Sequence, residues 1–120
     1  NEEKFTEYKA EADRFLGMIG QPFFSKLKSV EELFGEKGGD TIATRENLDS
    51  VLGLWQLLVR DICLTTAGLV TETVHQIKVS IGSQNKNWVT LEKQIVEARG
   101  LLQQNIHPRL VVENILLDLP

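Results

Sequence analysis

The chain has 120 residues, of which 42% are hydrophobic and 25% are charged, and its formal net charge is -4. This is the composition of one soluble globular domain, which buries roughly two-thirds of its unfolded surface, so residues 1–120 are predicted to form a single domain. The negative net charge argues against direct DNA binding, which usually requires a basic face. No apolar run approaches the ~20 residues of a membrane span, so no membrane contact is expected.

The first residues and the cysteine content favour a reducing compartment. The chain opens with Asn1-Glu-Glu-Lys, an acidic amphipathic segment that is unlike a signal peptide. Its single cysteine, Cys63, forbids an internal disulfide. Both features predict a cytoplasmic protein.

Apolar side chains recur at helical spacing through the first third of the chain. They predict an amphipathic helix from about Glu2 to Met18, stopped near Gly20, and a second helix opened by Pro22. The polar, glycine-rich stretch that follows predicts a mobile segment over 35–43.

The third predicted helix is the longest and the most apolar. Thr44 is its predicted N-cap, and the helix runs to about Thr66. One apolar stripe comprises Leu48, Val51, Leu52, Trp55, Leu58, Val59 and Ile62. A second stripe, on the opposite side, comprises Leu54, Leu57 and Leu64. A helix that is apolar nearly all round is buried on several sides, so this helix is predicted to be the centre of the fold.

The second half of the chain predicts three further segments. The segment 72–81 has β-branched residues that also suit a strand, although a short helix is our prediction. A helix from Trp88 to about Gln104 stops near Asn105, and Pro108 opens the last helix. The predicted fold class is all-α, a single bundle of about five to six helices. Its predicted core includes Trp55, Leu58, Ile62, Leu101 and Leu116.

Two charged pairs within apolar helices are candidate site residues. Arg60 and Asp61 lie inside the most apolar stretch, and neither has an opposite charge four residues away. Because a buried charge is costly unless it is paired, a partner must come from another helix, for example through Glu113, or from another subunit. Arg109 and Glu113, in the last helix, pose the same alternative between an internal polar cluster and a subunit interface.

No motif in the chain indicates catalysis, a cofactor or a metal site. There is no Gly-x-x-x-x-Gly-Lys-Ser/Thr sequence to bind phosphates, and the two histidines and Cys63 show no metal-ligand spacing. His107, which precedes Pro108, is predicted to cap a helix or form a turn. We therefore expect a chain that is not an enzyme and takes no cofactor, metal ion or small-molecule ligand.

One short motif supports an alternative function. His75-Gln-Ile-Lys78 is similar to the His-x-x-Lys-Gly motif of histidine phosphotransfer domains, which are helical bundles of about this length. In those domains an exposed imidazole accepts a phosphoryl group. Here Val79 replaces the glycine, and the local helix is short and rich in β-branched residues, so a solvated or capping role for His75 is the prediction.

Two stretches of the chain together resemble a known family. Trp55-Gln-Leu-Leu-Val-Arg60-Asp61-Ile-Cys-Leu, followed by Gly68, is similar to the Trp-x-x-x-x-Arg-Asp-Leu-Leu-Leu stretch of the delta-prime subunits of bacterial DNA polymerase III clamp loaders. Asn105-Ile-His-Pro-Arg-Leu, leading into a leucine-rich helix, is similar to the end of the same subunits. The similarity is best over 48–68 and 95–119 and weak elsewhere.

The resemblance implies the helical collar domain of a clamp-loader subunit. In that family two AAA+-type modules precede the collar, and the collars of five subunits join in a ring that holds the ATPase modules above the sliding clamp. This chain would then be an assembly domain, with the delta and gamma/tau subunits as its partners. A histidine phosphotransfer domain that uses His75 and a helical adaptor of unknown partner stay as the alternatives.

Excess apolar surface predicts which helices make the contacts. The third predicted helix is apolar on two sides and the last almost all round, which is more than one small bundle buries. Subunit contacts are therefore expected on parts of the third, fifth and sixth predicted helices.

Overall fold

A computed structural model describes residues 2–34, 41–66, 88–104 and 106–120 of the chain. These residues form five α-helices and one 3-10 helix, with no β-strand among them. In chain order they are α1 (Glu2–Met18), α2 (Phe23–Val30), the 3-10 helix (Glu31–Phe34), α3 (Ile42–Thr66), α4 (Trp88–Leu101) and α5 (Pro108–Asp118). The prediction of an all-α bundle is confirmed.

The first helix has the predicted bounds, and α2 begins after Pro22 as predicted but gives way to the 3-10 helix at Glu31. Gly20 has a φ of 84°, a left-handed conformation that glycine adopts without the steric cost of a Cβ atom. The chain therefore turns away from α1 at this residue, and the Gln21 amide donates to the Met18 carbonyl at 3.1 Å. Pro22 then takes the N-cap position of α2 in an extended conformation.

The start of α3 differs from the prediction. The helix begins at Ile42, and its N-cap is Thr41 rather than Thr44. The Thr41 hydroxyl accepts the backbone N–H of Thr44 at 3.0 Å, the bond that an N-cap side chain makes to the third residue of a helix. Ile42 and Ala43 are thus helical and do not belong to the predicted mobile segment. The predictions for residues 35–40, 67–87 and 105, including His75, lie outside the described residues.

The fourth helix, α4, also ends earlier than predicted. The helix stops at Leu101, and residues 102–104 form turns. Arg45 of α3 donates through Nη1 to the carbonyls of Leu102 at 3.0 Å and Gln104 at 2.7 Å. These bonds satisfy carbonyl groups that the helix end leaves without an amide partner, and they join α4 to the start of α3.

α3 is the centre of the bundle. It packs against α1, the 3-10 helix and α4, while α5 packs against α4 and α2. Trp55 is fully buried, and its ring centre lies 5.4 Å from that of Phe15 in α1. Leu58, Ile62 and Leu116 are also buried. Leu101, in contrast, is only half-buried, because it lines an open groove between α4 and α5.

The last helix is fixed at both ends by polar contacts. His107 is its N-cap, and Nδ1 of this side chain accepts the backbone N–H of Arg109 at 3.1 Å. The predicted capping role is confirmed. At the other end, the buried Lys26 of α2 donates through Nζ to the Leu119 carbonyl at 2.6 Å, and the Gly20 amide donates to the Pro120 carbonyl at 3.2 Å. Burial lowers the pKa of Lys26.

Candidate functional site

Arg60 and Asp61, the first of the predicted pairs, point in different directions. Adjacent residues of a helix project about 100° apart, because one turn takes 3.6 residues. Asp61 is half-buried and faces α1, where its Oδ2 accepts a hydrogen bond from the Tyr8 hydroxyl at 3.4 Å. Arg60 is exposed, and it makes no ion pair or hydrogen bond with any other described residue. The two residues therefore have separate roles.

The contact between Tyr8 and Asp61 changes the ionisation of the phenol. Burial, followed by the negative charge of Asp61 and its hydrogen bond, raises the pKa of Tyr8 to about 12. Tyr8 thus stays protonated at neutral pH and donates to the carboxylate. The contact ties α1 to α3, which is an internal structural role for Asp61.

Arg109 and Glu113 form a local structural cluster, apart from the first pair. Arg109 Nε donates to Glu113 Oε2 at 3.2 Å within α5, and its Nη2 lies 3.7 Å from Glu31 of the 3-10 helix. The guanidinium also lies over the Phe34 ring, 5.1 Å from the ring centre. Glu113 therefore pairs with Arg109, and the predicted link from Arg60 or Asp61 to Glu113 is not found in the described residues. The cluster joins α5 to the 3-10 helix.

The two residues of the first pair should respond differently to mutation. We expect Asp61→Ala to lower the free energy of unfolding by about 1 kcal/mol, because the half-buried Tyr8 hydroxyl loses its acceptor. Arg60→Ala should change it by less than about 0.5 kcal/mol, as is usual for exposed residues. Urea unfolding of the two variants measures both values. A loss for Arg60→Ala as large as that for Asp61→Ala would contradict the placement of Arg60.

The outward side of α3 presents an apolar surface with one charge. We define the α3 outer face as Gly53, Leu57, Arg60 and Leu64, which recur at spacings of four, three and four residues and so lie on one side of the helix. Leu57 is 53% exposed, and Leu64 is half-buried. Beside this face lies an open groove of about 440 Å³ between α1 and α4. The central helix thus has one side in the core and one side partly open to solvent.

Arg99 of α4 forms the wall of this groove. Its guanidinium donates to both carboxylate oxygens of Asp49, at 2.9 and 3.2 Å, and to the Gln56 side chain at 3.1 Å. It packs over Gly53, where a Cβ atom would lie 3.2 Å from the guanidinium carbon. The hydrogen bond to Asp49 raises the pKa of Arg99. Sequence reasoning missed this residue, and the only signal was a lone glycine inside the long helix.

Neither an activated thiol nor a metal-binding cluster is present among the described residues. Burial, together with the charge of Glu92, raises the pKa of the half-buried Cys63, so its thiol is not activated as a nucleophile. Within the described ranges, no group of three or more His, Cys, Asp or Glu side chains is arranged to hold a metal ion. Among the helices described above, none has the length and hydropathy to cross a membrane.

Comparison with protein-family models, with curated protein sequences and with solved structures finds no match to this chain.

Proposed function

We propose that this chain is the collar domain of a clamp-loader subunit of delta-prime type. It would act in the bacterial cytoplasm as an assembly domain that supports sliding-clamp loading during DNA replication. The delta and gamma/tau subunits are its proposed partners, through contacts between collar domains. The domain has no catalytic role in this proposal, because ATP binding belongs to AAA+-type modules elsewhere in the subunit.

The α3 outer face is the observation that supports the proposal. An isolated domain gains no stability from the exposed part of Leu57, and exposed apolar side chains grouped on one face commonly mark an interface. Arginine is enriched at such interfaces, since its planar guanidinium binds a carboxylate through two hydrogen bonds. Arg60 is available for this contact. Three residues of the stretch that resembles the family therefore have different positions: Trp55 is buried, Asp61 ties α1 to α3, and Arg60 faces outwards.

Exposed apolar side chains also lie on two other helices. Val89 and Val96 of α4 are exposed, and so are Leu110 and Leu117 of α5. α4 and α5 are the fifth and sixth helices predicted from the sequence. All three helices named by the sequence as contact helices thus have apolar surface to contribute.

Co-assembly with the partner subunits tests the proposal. A full-length delta-prime-type subunit that lacks residues 1–120 should fail to enter the complex with delta and gamma/tau, while its AAA+-type modules still fold. In the complete subunit, Arg60→Glu should weaken entry by about tenfold or more, the effect of about 1.4 kcal/mol at a contact. Size-exclusion chromatography of the mixed subunits gives both results.

Lys9→Glu is the control for the charge change. Lys9 is exposed on α1 and does not line the groove beside the α3 outer face, and the same reversal there should leave assembly unchanged. Recovery of a normal complex after deletion of residues 1–120 would defeat the proposal. Equal loss for Lys9→Glu and Arg60→Glu would show that net charge, and not the α3 outer face, controls assembly.

A further inference from the structure

A second apolar surface lies between α4 and α5, and it carries the opposite charge. We call it the α4–α5 groove, because residues of α4 and α5 line it. Its apolar members are Ala98, Leu101, Val111, Ile115 and Leu117. Its volume is about 250 Å³. The half-burial of Leu101 follows from its position in this groove.

Two carboxylates stand at the rim of the α4–α5 groove. Glu97 of α4 and Asp118 of α5 are both exposed, and neither makes an ion pair or hydrogen bond with any other described residue. Lys93, one helical turn before Glu97, offsets part of the charge without forming an ion pair. An apolar groove with two acidic groups at its rim fits a helix that presents leucine side chains and a cation on one face.

The α3 outer face has this chemistry. Leu57 and Leu64 are separated by two helical turns, about 10.5 Å along the axis, and Arg60 lies between them. Neither the arginine nor the two carboxylates form an ion pair with another described residue. The charges of the two surfaces are therefore complementary.

The two surfaces cannot meet within one molecule, because α4 separates them. On one side of α4, Arg99 reaches Asp49 and Gln56 of α3. On the other side, the Gln94 side chain donates to the Asn114 carbonyl of α5 at 3.0 Å. A contact between the surfaces must therefore join different molecules. Because the surfaces differ, such a contact is heterologous, and each molecule can use both at once.

We propose that the α3 outer face of one copy docks into the α4–α5 groove of a second copy of this chain, with Arg60 paired to Glu97 and Asp118. Leu57 and Leu64 cover the apolar lining of the groove, which includes Leu101 and Leu117. This inference does not depend on the clamp-loader function, since it concerns copies of this chain alone. A head-to-tail contact of this kind builds a ring or an open chain of subunits.

Self-association of the 120-residue chain tests the inference. Sedimentation velocity should show association that grows with protein concentration and weakens as salt is raised, because exposed charges are screened. Arg60→Glu should lower the association constant by about tenfold or more, and so should Glu97→Lys with Asp118→Lys. Combining all three substitutions reverses both charges and should restore association.

A mixture of the single-surface variants gives the sharpest result. The Arg60→Glu protein retains an intact groove, and the Glu97→Lys/Asp118→Lys protein retains an intact outer face. Neither should associate alone, but a 1:1 mixture should recover association, because the reversed outer face of one variant is also complementary to the reversed groove of the other. Recovered association also shows that both variants are folded.

Lys9→Glu is again the control, and it should associate like the unaltered chain. The inference is overturned if the unaltered chain is monomeric at the highest concentration studied. It is also overturned if the mixture does not associate, or if reversing one surface leaves association unchanged. None of these results bears on co-assembly with delta and gamma/tau, so the two proposals fail separately.

Discussion

Trp55→Ala should lower the free energy of unfolding by about 3–5 kcal/mol. The side chain is 0% exposed on the central helix, so its removal leaves a cavity that the surrounding helices cannot fill. Small domains are stable by only about 5–15 kcal/mol, so the variant should be close to unfolding at 37 °C. Urea unfolding followed by circular dichroism measures the loss.

Trp55→Phe separates packing from hydrogen bonding. The indole Nε1 donates to Glu11 Oε1 at 3.2 Å, and Glu11 also pairs with Arg14 in α1. Phenylalanine retains most of the buried ring but cannot donate, so a smaller loss of about 1–3 kcal/mol is expected. A change within about 0.5 kcal/mol for Trp55→Ala would contradict the buried position of the ring.

Two adjacent leucines of α5 should differ sharply when each is replaced by alanine. Leu116 is 1% exposed and Leu117 is 63% exposed. Leu116→Ala should lower the free energy of unfolding by about 2–5 kcal/mol, whereas Leu117→Ala should change it by less than about 0.5 kcal/mol. The residue types and the helix are the same, so the difference measures burial alone. Chemical denaturation of both variants checks it.

The same pair also connects stability with association. Leu117 lines the α4–α5 groove, so Leu117→Ala should weaken self-association although it leaves the fold intact. Similar losses of stability for the two variants would show that α5 is rotated relative to the position described here.

Most helix bounds were predictable because local chemistry determines them. Gly20 and the two prolines at residues 22 and 108 act through their own backbone, whatever packs around them. The start of α3 was predicted wrongly because Thr41 and Thr44 are both good N-caps, three residues apart. Which one caps the helix depends on whether Ile42 and Ala43 continue it, and the sequence pattern does not decide this.

The candidate site was less predictable, because it depends on how helices are rotated against each other. The sequence showed that Arg60 and Asp61 are costly in an apolar stretch. It did not show the directions in which their side chains point. Those follow from the position of α1, which brings Tyr8 to Asp61 and leaves Arg60 outside. Arg99 was missed for the same reason. Its partners Asp49 and Gln56 are on another helix, and no spacing in the sequence connects them.

The contact between Lys26 and the Leu119 carbonyl spans 93 positions of the chain. Bundles in which only sequence neighbours touch fold rapidly, since each new contact closes a short loop. Here the contact between α2 and the end of α5 forms only when both helices are in place. The entropic cost of closing that long loop is offset only once α5 has docked. The last helix is therefore held by contacts from the start of the chain. It should exchange its amide protons only when the whole domain opens, and not by fraying from its end.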